Sequence, residues 1–187
     1  MTSREGGSQN RTKLVIGASG FLGSHVVREL ATRGNQVRVM LRRTSSTKGI
    51  DDLDVERCYG VVFDDAALHA AMVGCDVVYY CVVDARMWQR DPTPLFRTNV
   101  DGLRHVLDAA AEAGPSKFVF TSTTGTLAIS DTNPVTEDDE HNWNAGGAYI
   151  QSRVAAENLV MQYVREKDLP AVAVCIATTY GPGDWQH

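Results

Sequence analysis

Residues 13–23 read KLVIGASGFLG and are the most informative segment for predicting the fold. Its first four residues are a short apolar run typical of a buried strand, and a turn follows at once at Gly17. Residues 21–33 then have helical spacing, with apolar side chains on one face and a stop at Gly34. The three glycines of a G-x-x-G-x-x-G pattern therefore lie at a strand-to-helix turn.

The rest of the chain alternates in the same way between strand and helix patterns. Further strands are predicted at 36–41, 54–62, 76–83, 117–122 and 171–177, and further helices at 64–73, 93–113 and 149–167. This alternation predicts an α/β fold of the Rossmann type, a doubly wound parallel sheet with helices on both faces and strand order 3-2-1-4-5-6. The unbroken apolar run of the fourth strand is typical of a strand buried on both faces, and the sixth strand is also predicted to be buried. The long irregular stretch at 124–147 is predicted to serve function.

Composition narrows the classes of protein. The chain has 187 residues, a net charge of −5, 43% apolar residues and 22% charged residues, which indicates one globular domain over 13–187 after a disordered lead at 1–12. No basic excess favours a nucleic-acid partner. The longest apolar runs have seven residues, against about 20 for a membrane helix. Neither a signal peptide nor a metal-ligand spacing is visible, so we expect a cytoplasmic protein without a metal.

Each glycine of the pattern has its own structural role at the strand-to-helix turn. Gly17 permits a tight turn, Gly20 lets the backbone approach a pyrophosphate, and Gly23 lets the helix pack closely on the strand. The helix N-terminus adds free N–H groups and the positive end of the helix dipole. The pattern predicts dinucleotide binding, the alternative being a purely structural turn. The other candidate contacts within this loop are Ser19, Phe21 and Leu22.

Two arginines follow the second predicted strand. An NAD site usually has an Asp or Glu there to bind the ribose 2′-hydroxyl, whereas this chain has Arg42 and Arg43. Arginine binds a 2′-phosphate through charge-assisted hydrogen bonds. The turn therefore predicts NADP rather than NAD, with a solvated basic turn as the alternative. Val62 and Val83, near the ends of the third and fourth strands, are the remaining candidate cofactor contacts.

Motifs along the chain carry a family resemblance. The glycine pattern, Asn99-Val100-x-Gly102, VFTST at 119–123, Tyr149 and YGPG at 180–183 together resemble the extended short-chain dehydrogenases/reductases of the NAD-dependent epimerase/dehydratase superfamily. The arginine turn and VFTSTTGT at 119–126 are most similar to the dihydroflavonol-reductase and cinnamoyl-CoA-reductase branch. The resemblance covers 13–185. It implies hydride transfer between a nicotinamide and a carbonyl or secondary alcohol of a small, apolar or aromatic substrate, and it leaves a homodimer open.

The resemblance also implies catalytic roles. Thr123, with Ser122 as the neighbouring candidate, polarises the substrate oxygen; Tyr149 is the acid/base; Asn99 supports the site. A phenol with an ordinary pKa near 10 is a poor acid/base at neutral pH, and a nearby cation lowers such a pKa. Positions i and i+4 share a helix face, so that cation would be Arg153, where the family has Lys. Arg153 is either an active-site cation or a salt-bridging helix residue that marks lost catalysis.

Two further departures keep other functions open. Val61 stands where the family often has an Asp that reaches the adenine. The chain ends four residues after Gly183, whereas family members continue into a C-terminal substrate lobe, so either a fragment or a naturally short protein is expected. Arg153 and the length favour a non-catalytic NAD(P)-binding protein as the first alternative. A sugar-nucleotide epimerase or dehydratase is the second alternative, and the arginine turn is evidence against it.

Overall fold

The computed structural model describes residues 12–143 and 146–184. The predicted lead lies outside this part of the chain, except that Thr12 already begins the first strand. The described residues form a six-stranded parallel sheet of order β3-β2-β1-β4-β5-β6, as predicted. Its strands are β1 (Thr12–Ile16), β2 (Val37–Leu41), β3 (Glu56–Tyr59), β4 (Cys75–Tyr80), β5 (Lys117–Thr123) and β6 (Ala171–Ile176).

Helices cover the sheet from both sides. They are α1 (Phe21–Thr32), α2 (Asp65–Met72), α3 (Thr93–Phe96), α4 (Gly102–Ala113) and α5 (Gly147–Lys167). Alternate residues of a strand point to opposite faces, so Leu14 packs into the core beneath α2, α4 and α5 while Val15 packs with Val27 beneath α1. In the described part of the chain, no helix is both long enough and apolar enough to cross a membrane.

Two strand predictions require correction. The fourth strand was expected to be buried on both faces and the sixth to be buried, but Val172 and Val174 of β6 are 42% and 43% exposed, and β4 is fully buried only at Val78 and Tyr80. The reason is the placement of the helices. Helix α1 packs on β1 and β2, whereas α5 packs on the opposite face of β6. The third strand is also shorter than predicted, because a turn that joins Asp64 N–H to Val61 O begins directly after it.

The helix predicted over 93–113 is interrupted. Between α3 and α4 the chain makes a π-helical segment, Arg97–Asp101, which inserts extra backbone into the helical ladder. Such segments occur frequently at functional sites. The segment contains Asn99, which is completely buried.

Candidate active site

The glycine loop meets the chain that follows β4. Strands β1 and β4 are neighbours at the centre of the sheet, where the strand order reverses and where ligands bind in doubly wound folds. Gly17 has φ +90°, and a Cβ there would lie 2.7 Å from the carbonyl carbon of Cys81. Both the positive φ and this close approach therefore require glycine.

Gly20 and Gly23 differ in what surrounds them. A Cβ at Gly23 would lie 2.1 Å from the Gly17 carbonyl oxygen, whereas the nearest atom to a Cβ at Gly20 is that same oxygen at 3.5 Å. Gly20 precedes α1, whose first turn has no side-chain cap and no acidic residue. The N–H groups of this turn remain open to an anion, so these residues fit a pyrophosphate. Of the other predicted loop contacts, Ser19 is exposed and Phe21 and Leu22 are half-buried.

The arginine turn lies on the surface. Arg42 and Arg43 are exposed, and the Arg43 guanidinium lies 5.4 Å from the centre of the Tyr59 ring. Among the described residues neither arginine forms an ion pair, so both charges are available to a phosphate. Arg28 on α1 holds the same loop through a bidentate ion pair with Asp52, at 2.7 and 2.8 Å.

The two valines predicted to contact the cofactor have different surroundings. Val83 is exposed in the segment after β4, beside the glycine loop. Val62 is half-buried, and its Cγ2 lies 2.7 Å from where a Cβ on Gly102 would be. Helix α4 therefore covers part of the Val62 side chain.

Asn99 joins three segments around Tyr149. Its Oδ1 accepts from Asp84 N–H at 2.7 Å, and its Nδ2 donates to Asp84 O and to Ser152 Oγ, both at 3.0 Å. Ser152 Oγ donates in turn to Tyr149 O at 2.7 Å. Hydrogen bonds from Arg86 lower the pKa of the Asp84 carboxyl. The network links the β4 loop to the first turn of α5. Sequence reasoning missed Ser152, although its spacing of three from Tyr149 places it on the same helix face.

Glu157 organises the other side of the site. Its carboxylate accepts a short hydrogen bond from Ser122 Oγ and lies 2.9 Å from Thr126 Oγ1, which is also 2.7 Å from Thr123 O. Thr123 Oγ1 accepts from Gly125 N–H at 3.2 Å. Glu157 therefore holds the side chains of Ser122 and Thr126, which lie on either side of Thr123 along the chain. Sequence reasoning missed this residue too, and the only available signal was its spacing of eight from Tyr149.

We expect Glu157→Ala to destabilise the protein. The Ser122 and Thr126 hydroxyls are buried, and loss of their shared acceptor should lower the free energy of unfolding by about 1–3 kcal/mol. Glu157→Gln keeps an acceptor oxygen and should lose less. Urea denaturation measures both, with Asn158→Ala, an exposed change on the same helix, as control. Equal stability of all three variants and the parent would contradict the bracing role.

Arg153 lies inside the protein. It is 2% exposed, its Nη2 donates a short hydrogen bond to Thr121 O, and its guanidinium lies 4.9 Å from the centre of the Phe120 ring. Burial lowers the pKa of the Arg153 guanidinium, and its charge interacts with the half-buried Tyr149. Arg153 is therefore not a salt-bridging residue of the helix surface.

Fold and glycine loop together define a Rossmann-type domain. The model of the NAD dependent epimerase/dehydratase family matches residues 13–187, and the chain belongs to this family. It is 33% identical over 181 residues to sterol demethylase protein B of Methylococcus capsulatus, covering 94% of this chain and 53% of that protein. It is 30% identical over 173 residues to a putative dihydroflavonol 4-reductase of Synechocystis sp., covering 91% and 50%.

A third relative is cinnamoyl-CoA reductase 1 of Oryza sativa subsp. japonica, 32% identical over 183 residues, with 90% of this chain and 53% of that protein covered. The chain thus spans about half the length of the curated relatives it matches. The crystal structure of gox2253 superposes with a TM-score of 0.77 at 34% identity, covering 88% of this chain and 51% of that one. UDP-glucose 4-epimerase of Thermotoga maritima superposes with 0.79 at 23% identity, covering 91% and 57%, which shows the shared fold.

Proposed function

We propose that this chain provides the cofactor-binding and catalytic half of an NADP-dependent reductase or dehydrogenase that acts on a carbonyl or secondary alcohol. The observation that supports this best is the Asn99–Ser152 bridge. It holds the Tyr149 turn at the carboxyl edge of the sheet, the edge to which the glycine loop also belongs. The names of the reductase relatives point to the same reaction class.

The residues divide the chemical work among them. A bound nicotinamide supplies or accepts the hydride. Tyr149 moves the proton to or from the substrate oxygen, as a general acid/base must. Thr123 donates a hydrogen bond to that oxygen and so stabilises the charge that develops on it. Asn99 and Ser152 orient Tyr149, while Arg153 supplies a buried positive charge one helical turn after it.

The proposed substrate is a small apolar or aromatic molecule. The relatives are named for a sterol, a dihydroflavonol and cinnamoyl-CoA, all of which have large apolar parts. In this chain the segment after β4 presents Met87 and Trp88 to solvent, and Trp88 is 95% exposed. An exposed indole at the ligand-binding edge of the sheet offers a flat apolar surface for such a substrate. We place this activity in the cytoplasm.

Selectivity between the two dinucleotides tests the cofactor proposal. We expect NADPH to bind at least about tenfold more tightly than NADH, because each charge-assisted hydrogen bond to the 2′-phosphate is worth about 1.5–3 kcal/mol. The double variant Arg42→Ala/Arg43→Ala should lose this preference and leave NADH affinity nearly unchanged. Fluorescence titration of the purified chain measures all four dissociation constants.

The control for that experiment is Arg33→Ala, which removes an exposed arginine directly after α1 that pairs with Glu29. It should leave both affinities unchanged and so separate a local contact from a general loss of positive charge. Equal affinity of the parent chain for NADPH and NADH would contradict the proposal that the arginine turn binds the 2′-phosphate.

A non-catalytic NAD(P)-binding protein is the second candidate, favoured by the inward position of Arg153. Saturable NADPH binding without NADPH oxidation, over a panel of aromatic aldehydes and ketones, would support it. Tight retention of NAD⁺ through purification would instead point to an epimerase or dehydratase.

A further inference from the structure

We infer that Arg153 is an internal anchor of the sheet and contributes no contact to the nicotinamide half of a bound dinucleotide. The affinity of the site then resides in the adenosine half, and the site accepts 2′-phosphoadenosine nucleotides that lack a nicotinamide. This inference rests on the proposed function, since it specifies which part of the cofactor the same site holds.

The donors of Arg153 face inward. Nη2 is used by the Thr121 carbonyl, while Nη1 is buried and has no hydrogen-bond partner among the described residues. With 2% of the residue exposed, neither of these two nitrogens is presented at the surface of the site. A lysine at this position would offer a single, freely rotating ammonium, whereas a planar fork bound at one end has a fixed direction.

The surroundings of the guanidinium explain why it stays there. The guanidinium covers one face of the Phe120 ring. The Phe120 ring is also stacked against the Tyr80 ring, with the two ring centroids 6.2 Å apart. Thr121 is itself tied to β4, because its Oγ1 donates to Tyr80 O at 2.9 Å. Withdrawal of Arg153 toward a ligand would leave the Thr121 carbonyl without this donor and one face of Phe120 uncovered. Both changes oppose the movement.

The groups that would bind the adenosine half are free of such internal use. Arg42 and Arg43 are exposed, and the first turn of α1 after Gly20 has no side-chain cap. These groups bind phosphates wherever they occur in the ligand, with or without a nicotinamide. Arg153 lies four residues after Tyr149 on α5, so its positive charge stays on the same helix face without any contact with a ribose.

Calorimetric titration of the full chain with NADPH and with adenosine 2′,5′-bisphosphate tests the inference. We expect the two dissociation constants of the parent to agree within about tenfold. Arg153→Met keeps a long side chain but removes the donor to the Thr121 carbonyl, so we expect a lower free energy of unfolding. We expect this variant to leave the ratio of the two constants unchanged.

Two results would overturn the inference. One is a parent chain that binds NADPH more than about tenfold more tightly than the bisphosphate. The other is an Arg153→Met variant with a normal circular dichroism spectrum that loses NADPH affinity alone. The parent measurement decides even if the variant does not fold. If NADPH binds no better than NADH, the NADP proposal fails, and the ratio for NADH against ADP then decides the role of Arg153. Absence of saturable binding of any of these nucleotides contradicts both the NADP proposal and the inference about Arg153.

Discussion

Gly23→Ala is expected to prevent stable folding of the chain. The added Cβ would lie 2.1 Å from the Gly17 carbonyl oxygen, 2.8 Å from its carbon and 3.0 Å from the Ala18 Cα. All three atoms belong to the backbone, so no flexible side chain can move aside. Overpacking of this kind costs about 3 kcal/mol or more when the backbone itself must shift. A thermal melt followed by circular dichroism measures the loss.

Gly20→Ala is the matched variant, and we expect it to fold normally and to bind NADPH at least about tenfold more weakly. Its Cβ would meet only the Gly17 oxygen at 3.5 Å, an ordinary contact, yet it would occupy the space through which a pyrophosphate reaches the first turn of α1. Circular dichroism and NADPH titration on both variants separate the two roles. Unchanged NADPH affinity in Gly20→Ala would remove this loop from the cofactor site.

Tyr149→Phe is expected to lower NADPH-dependent carbonyl reduction by about 10²–10⁴-fold, the usual worth of a general acid/base, with the NADPH dissociation constant unchanged. The ring is kept, and the bridge from Ser152 is also kept because it reaches the backbone oxygen of this residue. The loss of NADPH absorbance with a panel of aromatic aldehydes and ketones gives the rate.

Tyr59→Phe is the control for this measurement, since Tyr59 is a partly exposed tyrosine of β3 whose ring, and therefore its contact with Arg43, survives the change. Equal rates for Tyr149→Phe and the parent chain would assign the proton to another group. If the parent binds NADPH but oxidises none of it, the non-catalytic alternative replaces the reductase proposal.

Much of the fold follows from local pattern. The strand order and the number of strands were predictable because alternating strand and helix periods, joined by right-handed crossovers, permit few topologies. The structural roles of Gly17 and Gly23 were also predictable, because a tight turn and a close helix–strand approach depend on residues that are near in sequence. The ends of β3 and β4 were less predictable, because apolar residues continue along the chain beyond the last residue of each strand.

The candidate site shows where such reasoning ends. The motifs along the chain predicted that a glycine loop, an arginine turn, Thr123 and Tyr149 contribute to one site. That Asn99 is buried within a π-helical segment, that Ser152 and Glu157 brace the site and that Arg153 points into the core could be learned only from the packed fold. The cause is separation along the chain. Ser122 and Glu157 are 35 positions apart, and Asn99 and Ser152 are 53 apart. Hydrogen bonds over such separations form only when packing brings the elements together, and that packing leaves no periodic signal in the sequence.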